Sequence, residues 1–240
     1  MTIQNNITDT KPLFAHCQGN YHFEEKWIDI VNEVIPNQKE IIFPDKDKIT
    51  IITFVSGFMV TTLDRQLKKS GIEFIDLAQF YNHTKIWTNQ FKIIYTNYYL
   101  KKIKTPYVLS LDAIDVLACE DLAGMITRFE EMNCDILFGA SINNHPHSWA
   151  KAEDSEAVFK YLNAGTMLGK TDSLIEFYAA LDQEARSSKN NAVNNEQEII
   201  KKVRTGFENV KSDTGCKIFQ TLGCTDYDFK DNIITVKSKK

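Results

Sequence analysis

Apolar positions along this chain fall into short runs of two kinds, and their alternation predicts the elements. ITIITFVSG, from Ile49 to Gly57, is rich in β-branched residues and closed by glycine, which reads as a buried strand. Thr61 to Ser70 has helical character and stops before Gly71, a good C-cap residue. EFIDL, Glu73 to Leu77, reads as a second, short strand. From Ile86 to Lys101, Phe91, Ile94, Tyr95 and Tyr98 recur at helical spacing. YVLSLD then reads as a central strand ending at Asp112.

The alternation continues through the second half. Leu122 to Met132 reads as a helix, and DILFGAS, from Asp135, as a strand. YLNAGTMLGK, from Tyr161, reads as a strand interrupted by glycines. Thr171 is placed to N-cap a helix over Asp172 to Ala185, with Asp172 favourable in its first turn. Asn195 to Phe207 reads as another helix, and KIFQTL and NIITVK as two closing strands. The pattern predicts one α/β domain, a mixed sheet with helices on both faces. In such sheets ligands gather beyond the carboxyl ends of the strands.

Composition narrows the classes. The chain has 240 residues, 43% of them hydrophobic, which is ample for one packed domain. A net charge of −4 argues against a protein that coats nucleic acid. No apolar run approaches the roughly 18–20 residues that span a bilayer, and MTIQNNITDTKPLF lacks a secretory pattern. Five cysteines without regular spacing suggest reduced thiols rather than a disulfide framework or zinc site. The expectation is a soluble, cytoplasmic protein without a membrane partner.

The candidate chemistry starts at VLSLDAIDVL, Val108 to Leu117. An apolar run ends in Asp112, and Asp115 follows three positions later. Two carboxylates brought together by a short turn repel unless a cation sits between them. Hard oxygen ligands suit Mg²⁺ or Mn²⁺, which leave positions open for phosphate oxygens. The same residues also allow a simple turn, with Asp112 as cap and Asp115 solvated.

Taken together, YVLSLDAIDVL, FGAS, YLNAGTMLG, NNEQEII and KIFQTL resemble the glycosyltransferase domain of the procollagen lysyl hydroxylases and their microbial and viral relatives. The resemblance runs from about Ile49 to Val236. It implies a GT-A-like fold, in which D-x-x-D holds Mn²⁺ and the diphosphate of a UDP-sugar. The family's third metal ligand, a histidine in H-x-N-G, does not follow the closing strands here. Instead DTKPLFAHCQGNYHFEEKWIDIVNEVIP, Asp9 to Pro36, reads as a strand ending in His16, a glycine three residues on, and an amphipathic helix. The resemblance thus implies a circular permutation: residues 1–36 are the family's last strand–helix unit moved to the front, 37–48 a linker and 49–240 the main body. His16 then joins Asp112 and Asp115 as a metal ligand, and an imidazole favours Mn²⁺ over Mg²⁺.

The same resemblance assigns a donor site to Thr53, Phe54, Lys92, Asp112, Asn163 and Gly165, with Trp149 in the loop NNHPHSW as a further sugar contact. Ile114 departs from an aromatic that stacks on uracil in the family, so UDP is an expectation. Where the family has an acidic pair ahead of its glutamine, this chain reads Asn195-Glu196-Gln197, making Glu196 the candidate catalytic acid or base and Asn195 a sugar contact. Both also fit a helix N-terminus. His145 and His147 have no partner at metal-ligand spacing, and His22 and His83 are expected on the surface.

The implied function is a metal-dependent glycosyltransferase, with a nucleotide-sugar donor and a glycan, protein side chain or modified DNA base as acceptor. Two rivals remain open. A nucleotidyltransferase would show a glycine-rich, basic loop after the first strand, where this chain has SGFMVTTLDR. An inactive nucleotide-sugar-binding module would fit the departures at Asn195 and Ile114.

Overall fold

In the computed structural model, the described residues are 1–37, 39–55, 60–80, 88–146, 152, 154–187 and 195–238. The N-terminal part contributes β1 (Thr2–Asn5), β2 (Phe14–His16) and helix α1 (Glu25–Asn37). Next come β3 (Ile49–Phe54), α2 (Thr62–Lys69), β4 (Ile75–Asp76), α3 (Gln90–Leu100), β5 (Tyr107–Asp112) and β6 (Val116–Ala118). They are followed by α4 (Met125–Glu130), β7 (Ile136–Ser141), β8 (Tyr161–Lys170), α5 (Thr171–Ser187) and α6 (Glu196–Val203). Strands β9 (Val210–Ser212), β10 (Phe219–Thr221), β11 (Asp226–Lys230) and β12 (Ile233–Lys237) complete the chain.

The central sheet has six strands in the order β4-β3-β5-β8-β7-β9. Strand β8 runs antiparallel to both neighbours, while β4, β3 and β5 are mutually parallel and β9 is parallel to β7. The sheet is therefore mixed, and helices cover both its faces. Strand alternation explains how. Ile49 and Ile51 point toward α2 and α4, meeting Leu63, Leu67, Met125 and Phe129. Ile52 and Phe54 point the other way, toward Ile93 of α3, Phe177 of α5 and Ile200 of α6. Helix α1 packs Trp27, Ile30 and Val34 into a third cluster with Ile3, Leu117 and Ile234.

Several local readings change. The helix read from Thr61 to Ser70 starts at Thr62, with Thr61 outside it as the cap in a reciprocal box with Asp64, and Gly71 takes the left-handed conformation that ends it. Thr171 is not a cap: the helix starts on it, and its hydroxyl donates to the Thr105 carbonyl at 2.6 Å. The buried stripe of α3 is Ile93, Thr96 and Leu100, and Tyr98 is exposed. Lys92, one turn before Thr96, shares that inward side. Helix α4 starts only at Met125, behind Gly124 in a left-handed conformation. Strand β8 is continuous, and the irregularity lies in its pairing, which shifts register between Phe138 and Gly139.

Two small sheets tie together segments from opposite ends of the chain. In one, β2 lies between β10, to which it is parallel, and β6, to which it is antiparallel. In the other, β1 runs parallel to β12, pairing Thr2 with Ile233 and Asn5 with Val236. No described helix is long and apolar enough to cross a membrane.

Candidate metal and ligand site

The strand pairings bring together residues far apart in the chain. Asp112 ends β5, and the two-residue turn Ala113-Ile114 carries the chain to Asp115 and β6. Because β2 is antiparallel to β6 with His16 opposite Val116, His16 lands beside Asp115, and the Cys17 amide donates to the Asp115 carbonyl at 2.9 Å. One donor atom each from His16, Asp112 and Asp115 lies within 4.8 Å of the others. His16 is 2% exposed and Asp115 8%. The three can hold a metal ion.

Two observations fit a cation there. Both ring nitrogens of His16 are buried without a hydrogen bond, although Nε2 is 3.4 Å from Asp115 Oδ2. An imidazole buried without a hydrogen bond at either nitrogen is costly unless something else fills the position. The second is Gly165, in β8. A Cβ on it would stand 2.7 Å from His16 Nε2 and 2.9 Å from Asp112 Oδ2, so only glycine leaves the cluster its space. The register shift between β7 and β8 carries this backbone toward the cluster, a common use of bulges near sites.

Charge around the cluster is balanced by side chains. Lys92 of α3 donates to Asp112 Oδ1 and stands 3.7 Å from Glu196 Oε2. Burial opposes its charge, but Asp112, Glu196 and Asp115 outweigh burial and hold the ammonium well above the ordinary lysine range. Burial likewise disfavours charge on His16, yet Asp115 and Asp112 together raise its pKa. Asp115 is held below the usual carboxylate range despite its burial, by His16, Lys92 and His22. Glu196 behaves differently. Burial pushes it up to about 7, with Lys92 pulling against and Asp112 adding.

The cluster opens on two cavities. One, of about 560 Å³, extends toward β7, β8 and α6 and includes His16, Asp112, Asp115, Asn163, Gly165 and Glu196 in its lining. The other, of about 300 Å³, extends toward Phe54, Ala113, Ile114 and His22. Lys92, Asp112, Asp115, Asn89 and Asn20 line both.

Most of the expected donor residues therefore meet. Phe54 lines the smaller cavity, with the Lys92 ammonium 5.8 Å from its ring centroid. Asn195 lines the larger one while its side chain also caps α6 by accepting from the Gln197 amide at 3.0 Å. Thr53 lines neither cavity. It is fully buried in the sheet, because alternation turns it away from the side that Phe54 faces. Trp149, His147 and His83 lie outside the described residues.

Other residues at the site had no role assigned from the sequence. His22, expected on the surface, has Nδ1 3.9 Å from Asp115 Oδ2 and lines the smaller cavity. Gln197 accepts from the Ala164 amide at 2.9 Å and donates to the His145 carbonyl. Lys201, one turn further along α6 and 2% exposed, donates to Asn144 Oδ1 at 2.6 Å and to the His145 carbonyl at 2.8 Å. Burial, with Arg204 nearby, lowers its pKa to about 8. Together they pin residues 144 and 145 onto α6. A signal did exist for Gln197 and Lys201, since i and i+4 on a helix share a face, but nothing local pointed to the loop they hold.

A scan against protein-family models finds no match for this chain, and no curated protein matches it significantly.

Proposed function

We propose that this chain is a metal-dependent glycosyltransferase of GT-A-like fold, moving a sugar from a nucleotide-sugar, with a UDP-sugar as the expected donor and Mn²⁺ as the expected ion, onto an acceptor hydroxyl. The observation that carries this reading is the convergence of His16, Asp112 and Asp115 at a strand end, beside a large cavity lined mainly by polar residues and containing an acid of raised pKa.

A divalent cation held by His16, Asp112 and Asp115 would supply positive charge to a diphosphate leaving group. The chain's own residues account for the rest. Lys92 stays protonated and offers its charge at the meeting point of the two cavities. Gly165 keeps the backbone low, so that a sugar can approach the cluster closely. Glu196, poised near neutrality, can take the proton of an acceptor hydroxyl or, ionised, face a cationic anomeric carbon. Asn163 presents an amide whose carbonyl is already fixed by the Gly165 N–H at 3.0 Å.

The test is a panel of nucleotide-sugars incubated with the protein plus Mn²⁺ or EDTA, following release of free nucleotide. Release from one donor that Mn²⁺ supports and EDTA abolishes is the expected result. Mn²⁺-dependent nucleotide binding without release, even in the presence of acceptors, would reduce the chain to a binding module. Absence of both would overturn the reading.

A further inference from the structure

The larger cavity has a wall that the metal cluster does not explain. Gln18 donates to Ser141 Oγ at 3.3 Å and to the Gly223 carbonyl at 3.0 Å, and accepts from the Gly223 amide at 3.0 Å. The Asn143 amide nitrogen donates to the same Ser141 hydroxyl at 3.3 Å. Beside them stands Tyr21, 37% exposed, whose hydroxyl accepts from Cys224 Sγ at 2.8 Å. Its ring is seated on Gly223, where a Cβ would lie 2.7 Å from Tyr21 Cδ2. The result is a contiguous surface: an aromatic platform braced from behind, next to fixed amide and hydroxyl groups.

The chemistry of this wall is selective. Gln18, Asn143, Asn144, Asn163, Asn195 and Gln197 all line the cavity, so its polar groups are mainly amides, which both donate and accept. Apart from the floor shared with the smaller cavity, Glu196 is the one Asp, Glu, Lys or Arg among the described lining residues. Lys92 is the one lysine or arginine lining either cavity among those residues. A nucleic-acid strand would need several cations along its phosphates. A cationic peptide would call for carboxylates on the wall rather than amides. Neutral hydroxyls match amides, and the apolar face of a sugar ring matches an exposed tyrosine. Fixing Gln18 and Tyr21 beforehand reduces the ordering cost of binding.

We infer that the wall formed by Gln18, Tyr21, Ser141 and Asn143 is the acceptor subsite, and that the acceptor is a neutral saccharide. The inference rests on the transferase reading and narrows it. Saturation-transfer NMR with maltose, lactose and chitobiose, on the protein with and without UDP and Mg²⁺, tests it. Contact with ring protons of at least one saccharide is expected. Tyr21→Ala should lower that affinity roughly tenfold, while Tyr21→Phe, which keeps the platform, should retain it. UDP binding should survive in both variants. If UDP binds but no saccharide does, or if Tyr21→Ala binds saccharide as well as wild type, the acceptor assignment falls alone. Tyr21-dependent binding of an oligothymidylate or of a lysine-rich peptide in place of saccharide would also overturn it. Loss of both UDP and saccharide binding would remove the transferase reading together with this one.

Discussion

Two turns in this molecule bury carboxylates, and they do so for different ends. Asp213, between β9 and β10, accepts from the amides of Lys217, Ile218 and Phe219 at 2.8–2.9 Å. Burial raises its pKa and those three amides pull it back, but it lines neither of the two cavities beside His16, Asp112 and Asp115. Asp112 and Asp115 have charged or titratable side chains as partners, Lys92, His16 and His22, and both border open space. The difference teaches that burial of an acid does not by itself mark chemistry. Backbone donors fill an acid's lone pairs and lock a turn. Side-chain cations beside a cavity leave it able to exchange partners.

Asp213→Ala would strand the buried amides of Ile218 and Phe219 along with that of Lys217, and should cost roughly 3 kcal/mol or more of unfolding free energy, read from the denaturant midpoint. A loss within the range of an ordinary surface substitution would refute the structural role. His16→Ala should act in the opposite sense. Mn²⁺ affinity, measured by calorimetry, should fall at least about tenfold, since losing even an outer-shell partner of a metal has that effect. The accompanying loss of stability should be smaller than for Asp213→Ala, and unchanged Mn²⁺ affinity would dismiss His16 as a ligand.

A pH-dependent effect concerns Glu196. Its pKa rises from an ordinary 4.5 to about 7 in the folded chain. Between those values the native state holds a proton that the unfolded state has released, so stability falls as pH rises across that window. Relative to Glu196→Gln, the wild type should lose about 2 kcal/mol between pH 5 and pH 7. Equal pH dependence of thermal unfolding in both proteins would show that the carboxyl is not perturbed.

What was legible in the sequence depends on where the information sits. The apolar runs of β3, β5, β7 and β8 are central strands covered on both faces, so they stand out as hydrophobic. Asp112 and Asp115 lie within one short stretch, and a local pattern sufficed to pair them. Strands β1, β9 and β11, reading TIQN, VKS and DYDFK, are short and polar, and exist through their partners rather than their own composition. His22 and the amide wall escaped for the same reason. Gln18, Ser141 and Gly223 meet only after the fold brings three distant segments together. His16 was reachable only through resemblance, since no spacing links it to Asp115.

The pairing of β2 has a consequence for the order in which this protein matures. It leaves the ribosome about 200 residues ahead of β10, one of its two neighbours, whose Phe219 pairs with Phe14. Domains acquire structure as the chain emerges, and contacts between distant segments must wait for the later one. A nascent chain can therefore form the β3–β5 ladder and present both carboxylates while His16 still lacks a settled place. The cluster is completed only once β10 has emerged, so translation that stalls ahead of β10 yields a half-assembled site.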